Sequence, residues 1–186
     1  MGKVIAAINM SLDGNCDHLA GLPDDRIHDH YTALIRQAGI AIYGRKTYQL
    51  MEYWREVLGN PTGNRAQDDF AVAMDRLPKI VFSRSLKSVD WHSARLADKG
   101  LVETVRELKG QKGGDILVGS PGLIVALLDL GLIDELQVCI YPLLMGKGPF
   151  LFKDIVNRKL LRLGGTKSFE GGAVLLYYGV HKEQHP

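Results

Sequence analysis

Short apolar runs alternate with amphipathic stretches along most of this chain. Lys3–Ile8, Ile40–Tyr43, Lys79–Ser83, Ile116–Val118 and Leu136–Tyr141 read as buried strands. Between the first two, Ile27, Tyr31, Leu34, Ile35 and Ala38 share one helical face. Asp24 and Asp25 open that helix where the backbone dipole favours carboxylates, and Gly39 is expected to end it. A second helix is expected from about Thr47 to Leu58, then a loop over Gly59–Asp69. Phe70, Ala73, Met74 and Leu77 predict a short helix stopped by Pro78. A weak strand near Ala94–Ala97 and an amphipathic helix over Leu101–Lys109 follow. Gly119-Ser120-Pro121-Gly122 then begins a helix carrying Leu123, Ile124, Leu127, Leu128 and Leu130, and Gly131 stops it. Strand, helix and strand over residues 116–141 make a crossover unit with parallel strands. Leu160–Phe169 and Ala173–His181 flank Gly171-Gly172 and predict an antiparallel edge hairpin. The sum is an α/β protein in one domain, 1–186, with a mostly parallel sheet and an antiparallel C-terminal hairpin.

Composition narrows the function classes. The 186 residues are 46% hydrophobic and 24% charged, as in an ordinary globular domain. A net charge of +2 gives no electrostatic case for nucleic acid or an anionic membrane. The opening residues read as a first strand rather than a signal peptide, and no stretch has membrane-spanning length. Cys16 and Cys139 do not make a disulfide framework and suit free thiols in a reducing cytoplasm. Asp24, Asp25, His28, Asp29 and His30, with Cys16 and His18, lack metal-ligand geometry on a helix and read as a solvated polar face, so no metal is expected. Trp54 and Tyr48 are core candidates.

Chemistry gathers at strand ends, where open α/β sheets bind ligands. Gly44-Arg45-Lys46-Thr47, Ser83-Arg84-Ser85 and Gly119-Ser120-Pro121-Gly122 each follow a strand. Two carry arginine, which binds two phosphate oxygens at once, and two begin a helix. Any one of them is equally a tight turn; three together favour a phosphorylated ligand. The loop over Ser11–Pro23 is long enough to carry function.

Met10-Ser11-Leu12-Asp13-Gly14, Tyr43-Gly44-Arg45-Lys46-Thr47-Tyr48, Ile80-Val81-Phe82-Ser83-Arg84, the turn at 119–122, Ile133-Asp134-Glu135-Leu136 and Tyr141-Pro142-Leu143-Leu144-Met145-Gly146-Lys147-Gly148 occur in an order that resembles the dihydrofolate reductase superfamily. The closest resemblance is to the branch typified by the C-terminal reductase domain of the riboflavin-biosynthesis deaminase-reductase. It implies a dihydrofolate-reductase-like three-layer fold and an NADPH-dependent reductase of a small heterocycle. By position, Gly44, Arg45 and Thr47 would meet cofactor phosphates, Ser83 and Arg84 the 2′-phosphate, and Gly119, Ser120 and Gly122 the diphosphate. Asp13, Gly14 and the Met145–Gly148 loop, with Gly146, would border nicotinamide and substrate.

Leu22-Pro23-Asp24-Asp25 resembles the start of the helix that carries the pterin-binding carboxylate, which falls on Asp25. Asp13 and Asp25 are therefore the candidate catalytic acids, although Asp25 serves the helix dipole equally well. True dihydrofolate reductases place an arginine before the strand that begins at Lys79. Here Leu77-Pro78 stands there, which points away from folate and towards a pterin-like, imine or ribityl-aminopyrimidine substrate. The alternatives are a non-catalytic NADP(H)-binding protein, a true dihydrofolate reductase and a structural subunit. The apolar run Leu175-Leu176-Tyr177-Tyr178, together with pairing in related riboflavin reductases, predicts a homodimer.

Overall fold

The structure is a computed structural model that describes residues 2–18, 21, 24–156 and 158–181. The Leu22-Pro23 step and part of the Ser11–Pro23 loop lie outside the described residues. Eight strands and six helices occur among the described residues. They fall into two compact units: Met1–Gly2 with Pro23–Ser120, and Lys3–Leu22 with Pro121–Pro186.

In the first unit the order is α1 (Asp25–Gln37), β2 (Ala38–Gly44), α2 (Arg45–Met51), α3 (Tyr53–Gly59), α4 (Arg65–Arg76), β3 (Lys79–Phe82), β4 (Ala94–Leu96), α5 (Leu101–Gly110) and β5 (Asp115–Val118). Its strands run β4-β3-β2-β5, all parallel. Asp24 caps α1 by accepting the Ile27 N–H at 2.9 Å. The helix does not last to Gly39: it stops at Gln37, and β2 begins at Ala38. Gly39 lies in the strand, and the position needs glycine because a Cβ there would overlap the Gly113 carbonyl oxygen. The helix expected over Thr47–Leu58 starts at Arg45 and breaks at Glu52 into two. The loop expected to reach Asp69 is shorter, because Asn64 caps α4 by accepting the Gln67 N–H at 3.0 Å. Asp68 adds to that start, accepting from the Thr62 N–H and hydroxyl and from the Gly63 N–H.

The second unit holds β1 (Val4–Ser11), α6 (Pro121–Asp129), β6 (Glu135–Tyr141), β7 (Leu161–Ser168) and β8 (Val174–Val180). β1 pairs with β6 in parallel, from Ile5↔Glu135 to Ser11↔Tyr141. β8 is antiparallel to both β6 and β7, so the C-terminal hairpin forms as expected. β5 pairs with β2 and β6 with β1, so the strands flanking α6 each take a partner from elsewhere in the chain. Gly131 ends α6 with φ of +64°; its N–H reaches Leu128 O, and the Leu132 N–H reaches Leu127 O. In β8 only Leu175 is fully enclosed, and Leu176, Tyr177 and Tyr178 stay partly exposed.

Candidate functional site

The first unit brings three predicted turns together. β2 lies between β3 and β5, with Gly44 opposite Phe82 and Ile42 opposite Val118, so the carboxyl ends of three strands stand side by side. Two hydrogen bonds tie them. The Gly44 N–H donates to Ser120 Oγ at 2.9 Å, and Arg45 Nη1 donates to Ser85 Oγ at 2.7 Å. Ser83 Oγ accepts the N–H groups of Ser85 and Leu86, folding 83–86 into a compact turn. Thr47 lies in the first turn of α2, half-buried, and Gly119 precedes the buried Ser120.

The donor set suits a polyanion. Arg45 and Arg84 both project from exposed positions. Ser120 is 4% exposed, and because its oxygen accepts from Gly44 its own hydrogen is available to donate. The polar groups that tie these turns are hydroxyls, N–H groups and a guanidinium, with no carboxylate. Gly122 belongs to the second unit, exposed in the first turn of α6.

The second unit builds a different device around Asp13. Its carboxylate accepts from the Ser11 hydroxyl, from the Met145 N–H at 3.1 Å and from the Gly146 N–H at 2.7 Å. The Ser11 hydroxyl, and then the Gly146 N–H, hold the Asp13 carboxyl below its ordinary pKa of 3.8. The 11–16 segment and the 143–151 segment are also joined along their backbones. Leu12 N–H meets Leu143 O, Leu151 N–H meets Gly14 O, and Cys16 N–H meets Pro149 O. Asn15, fully buried, completes the clasp by donating Nδ2 to Lys147 O at 2.5 Å. Gly146 takes φ of +71° and Gly148 +132°, conformations that suit glycine. Asp13 is thus an ionised latch between the two loops expected to border the substrate.

Asp25 belongs to the first unit. Asp25 is exposed, and its Oδ1 accepts from Asn64 Nδ2 at 2.9 Å. The expected solvated face of α1 needs correction at His28. Its ring lies edge-on to Trp54 and Phe70, at 5.7 and 5.9 Å between centres, and burial lowers its pKa. Tyr48 is buried as expected. Among the described residues, no group of three His, Cys, Asp or Glu is placed to hold a metal. No helix among them is long and apolar enough to cross a membrane.

Sequence reasoning gave no individual role to Ser11, Asn15 or Ser85. Ser11-x-Asp13-x-Asn15 is a local side-chain-to-backbone turn pattern that could have been read. The Asn15–Lys147 and Arg45–Ser85 contacts span long separations and carry no local signal.

Comparison with known proteins agrees with this architecture. Residues 2–176 match the family model described as the RibD C-terminal domain. The chain is 29% identical over 180 residues to the uncharacterized protein YyaP of Bacillus subtilis (strain 168), covering 95% of this chain and 94% of that one. It superposes on the crystal structure of a pyrimidine reductase-like protein from Corynebacterium diphtheriae with a TM-score of 0.66 and 14% identity, covering 98% of this chain and 93% of that one. The deaminase/5-amino-6-(5-phosphoribosylamino)uracil reductase of Thermotoga maritima gives a TM-score of 0.68 at 15% identity, covering 97% of this chain and 57% of that one. The shared fold is the dihydrofolate-reductase-like α/β fold.

Proposed function

We propose, from the premise that this chain belongs to the RibD C-terminal domain family, that it is an NADPH-dependent reductase of a small heterocycle. The observation that carries the reading is the carboxylate-free cluster of the first unit, where three strand ends stand side by side with Arg45 and Arg84 exposed. Gly44, Arg45, Thr47, Gly119 and Ser120 would hold cofactor phosphates, Ser83 and Arg84 the 2′-phosphate, and Gly122 of the second unit a diphosphate oxygen. NADPH, when bound, supplies a hydride. In the second unit, Gly146 and its loop, held by the Asp13 latch, would border the nicotinamide and orient the acceptor. Asp13 is a positioning residue in this scheme, since its oxygens are engaged and its carboxyl stays ionised. Asp25, exposed and singly bonded to Asn64, is free to take a new partner and is assigned the contact to a ring nitrogen or amide of the substrate.

Two of the similar solved proteins are named for pyrimidine or aminouracil reduction, which favours an aminopyrimidine within the class of pterin-like, imine and ribityl-aminopyrimidine acceptors. The reading takes residues 1–186 as one cytoplasmic domain that acts as a homodimer and needs no metal. A second reading, a non-catalytic NADP(H)-binding protein, is favoured by the engagement of Asp13, which leaves exposed Asp25 as the sole assigned acid. Following reduced-cofactor absorbance with ribosylaminopyrimidines, pterins and dihydrofolate separates the two. Turnover of an aminopyrimidine, slow or absent turnover of dihydrofolate, and loss of turnover in Asp25→Asn with NADPH affinity unchanged are expected. Efficient dihydrofolate reduction would overturn the substrate class, a fully active Asp25→Asn would remove that residue from the chemistry, and tight NADPH binding without oxidation would favour the second reading.

A further inference from the structure

A half-open groove lies at the amino ends of the first unit's strands. It has a volume of about 310 Å³ and is lined by Ile35, Arg36, Ala38, Val72, Ala73, Arg76, Leu77 and Pro78. Ala38 begins β2 and Pro78 immediately precedes β3, so the groove sits at the amino ends of strands whose carboxyl ends carry Gly44 and Ser83. Its floor is apolar: Ile35, Ala73 and Leu77 are each at most 6% exposed. Its rim is basic, with Arg36 and Arg76 in the last turns of α1 and α4.

Arginine at a helix end ordinarily answers the negative pole of the backbone dipole. Here that task is done from inside. Lys79 Nζ donates to Met74 O at 2.5 Å and to Leu77 O at 2.7 Å, so buried ammonium already satisfies the end of α4. The Ala38 N–H serves the end of α1 by reaching Ile35 O and Leu34 O. Among the described residues Arg76 has no side-chain hydrogen bond or ion pair. Arg36 has one long ion pair, 3.9 Å to Asp69, whose carboxylate is also engaged by Arg65 at 3.3 Å. Both guanidiniums are therefore available above an apolar floor.

We propose that this groove binds a small amphipathic carboxylate: the apolar body against Ile35, Val72, Ala73 and Leu77, and the carboxylate between Arg36 and Arg76. The charge of the rim selects an anion, and the volume, at the low end for ligand sites, selects a small one. The site is separate from the cofactor cluster and does not depend on the reductase reading.

Octanoate and octanol, titrated into the whole protein by calorimetry and ligand-observed NMR, test it. They share an apolar body and differ in charge. Octanoate is expected to bind at millimolar concentration at least tenfold more tightly than octanol. Arg36→Gln/Arg76→Gln should remove that difference at unchanged melting temperature, because both side chains are exposed. Val72→Phe should weaken both ligands by filling the groove. Arg84→Ala, at the cofactor cluster, should leave octanoate binding as in wild type. Equal affinity for acid and alcohol, undiminished octanoate binding in the double arginine variant, or no binding at millimolar concentration would overturn the proposal.

Discussion

Replacing Lys79 by methionine tests how the first unit holds β3, the strand that leads to Ser83 and Arg84. Lys79 is 1% exposed. Its ammonium donates to Met74 O, Leu77 O and Ser93 Oγ at 2.5, 2.7 and 2.8 Å, and stands 4.0 Å from the centre of the Trp91 ring. Trp91 is itself fixed by donating Nε1 to Asp75 at 2.7 Å. Methionine keeps the apolar stem but leaves two buried carbonyls without this donor, at about 1–3 kcal/mol each. It also forfeits a cation–π contact of up to about 2 kcal/mol, and recovers part of the cost of burying an ammonium. The net loss is about 2–4 kcal/mol, a fall in melting temperature of about 5–15 °C for a chain of this size.

The pH dependence has a definite sign. Burial lowers the Lys79 pKa from 10.5 to about 8. Between those values the unfolded chain holds a proton that the native protein has released, so stability rises with pH across the window. The contribution is complete above pH 10.5, amounts to about 3 kcal/mol, and is lost as pH falls through 8. Calorimetric unfolding of both proteins from pH 7.5 to 10.5 should show the gap between wild type and Lys79→Met widening. An unchanged melting temperature in the variant, or a gap that narrows with rising pH, would refute the reasoning.

Two further outcomes are expected. Asp13→Ala should lower turnover in steady-state assays, because it unlatches the Met145–Gly146 loop; the lowered Asp13 pKa also places any activity loss from its protonation below the ordinary carboxylate range. Light scattering should give twice the 20.6 kDa chain mass at micromolar concentration, and the monomer mass would rule the dimer out.

Much of this architecture was legible because the signals are local. Gly119-Ser120-Pro121 and Gly131 bracket α6 by backbone chemistry alone, and Gly171-Gly172 turns the hairpin. The three strand-end turns were readable as a set, since each follows an apolar run. What escaped depends on distant partners. Gly39 looked like a helix stop, yet it answers the close approach of Gly113, more than seventy positions along. His28 looked like a solvated residue until α3 and α4 brought Trp54 and Phe70 against it. Asp13 was visible as a candidate acid, but its three donors include two backbone N–H groups from 145–146 that no side-chain pattern advertises.

The central claim is that the first unit's strand ends recognise a phosphorylated nicotinamide cofactor, with Arg84 on the 2′-phosphate. Dissociation constants for NADPH and NADH, measured by calorimetry on wild type and Arg84→Ala, test it most directly. A charge-assisted contact of about 1.5–3 kcal/mol predicts a loss of roughly ten- to a hundredfold in NADPH affinity, with NADH within about twofold of wild type. Equal losses for both cofactors, or undiminished NADPH binding in the variant, would contradict the account.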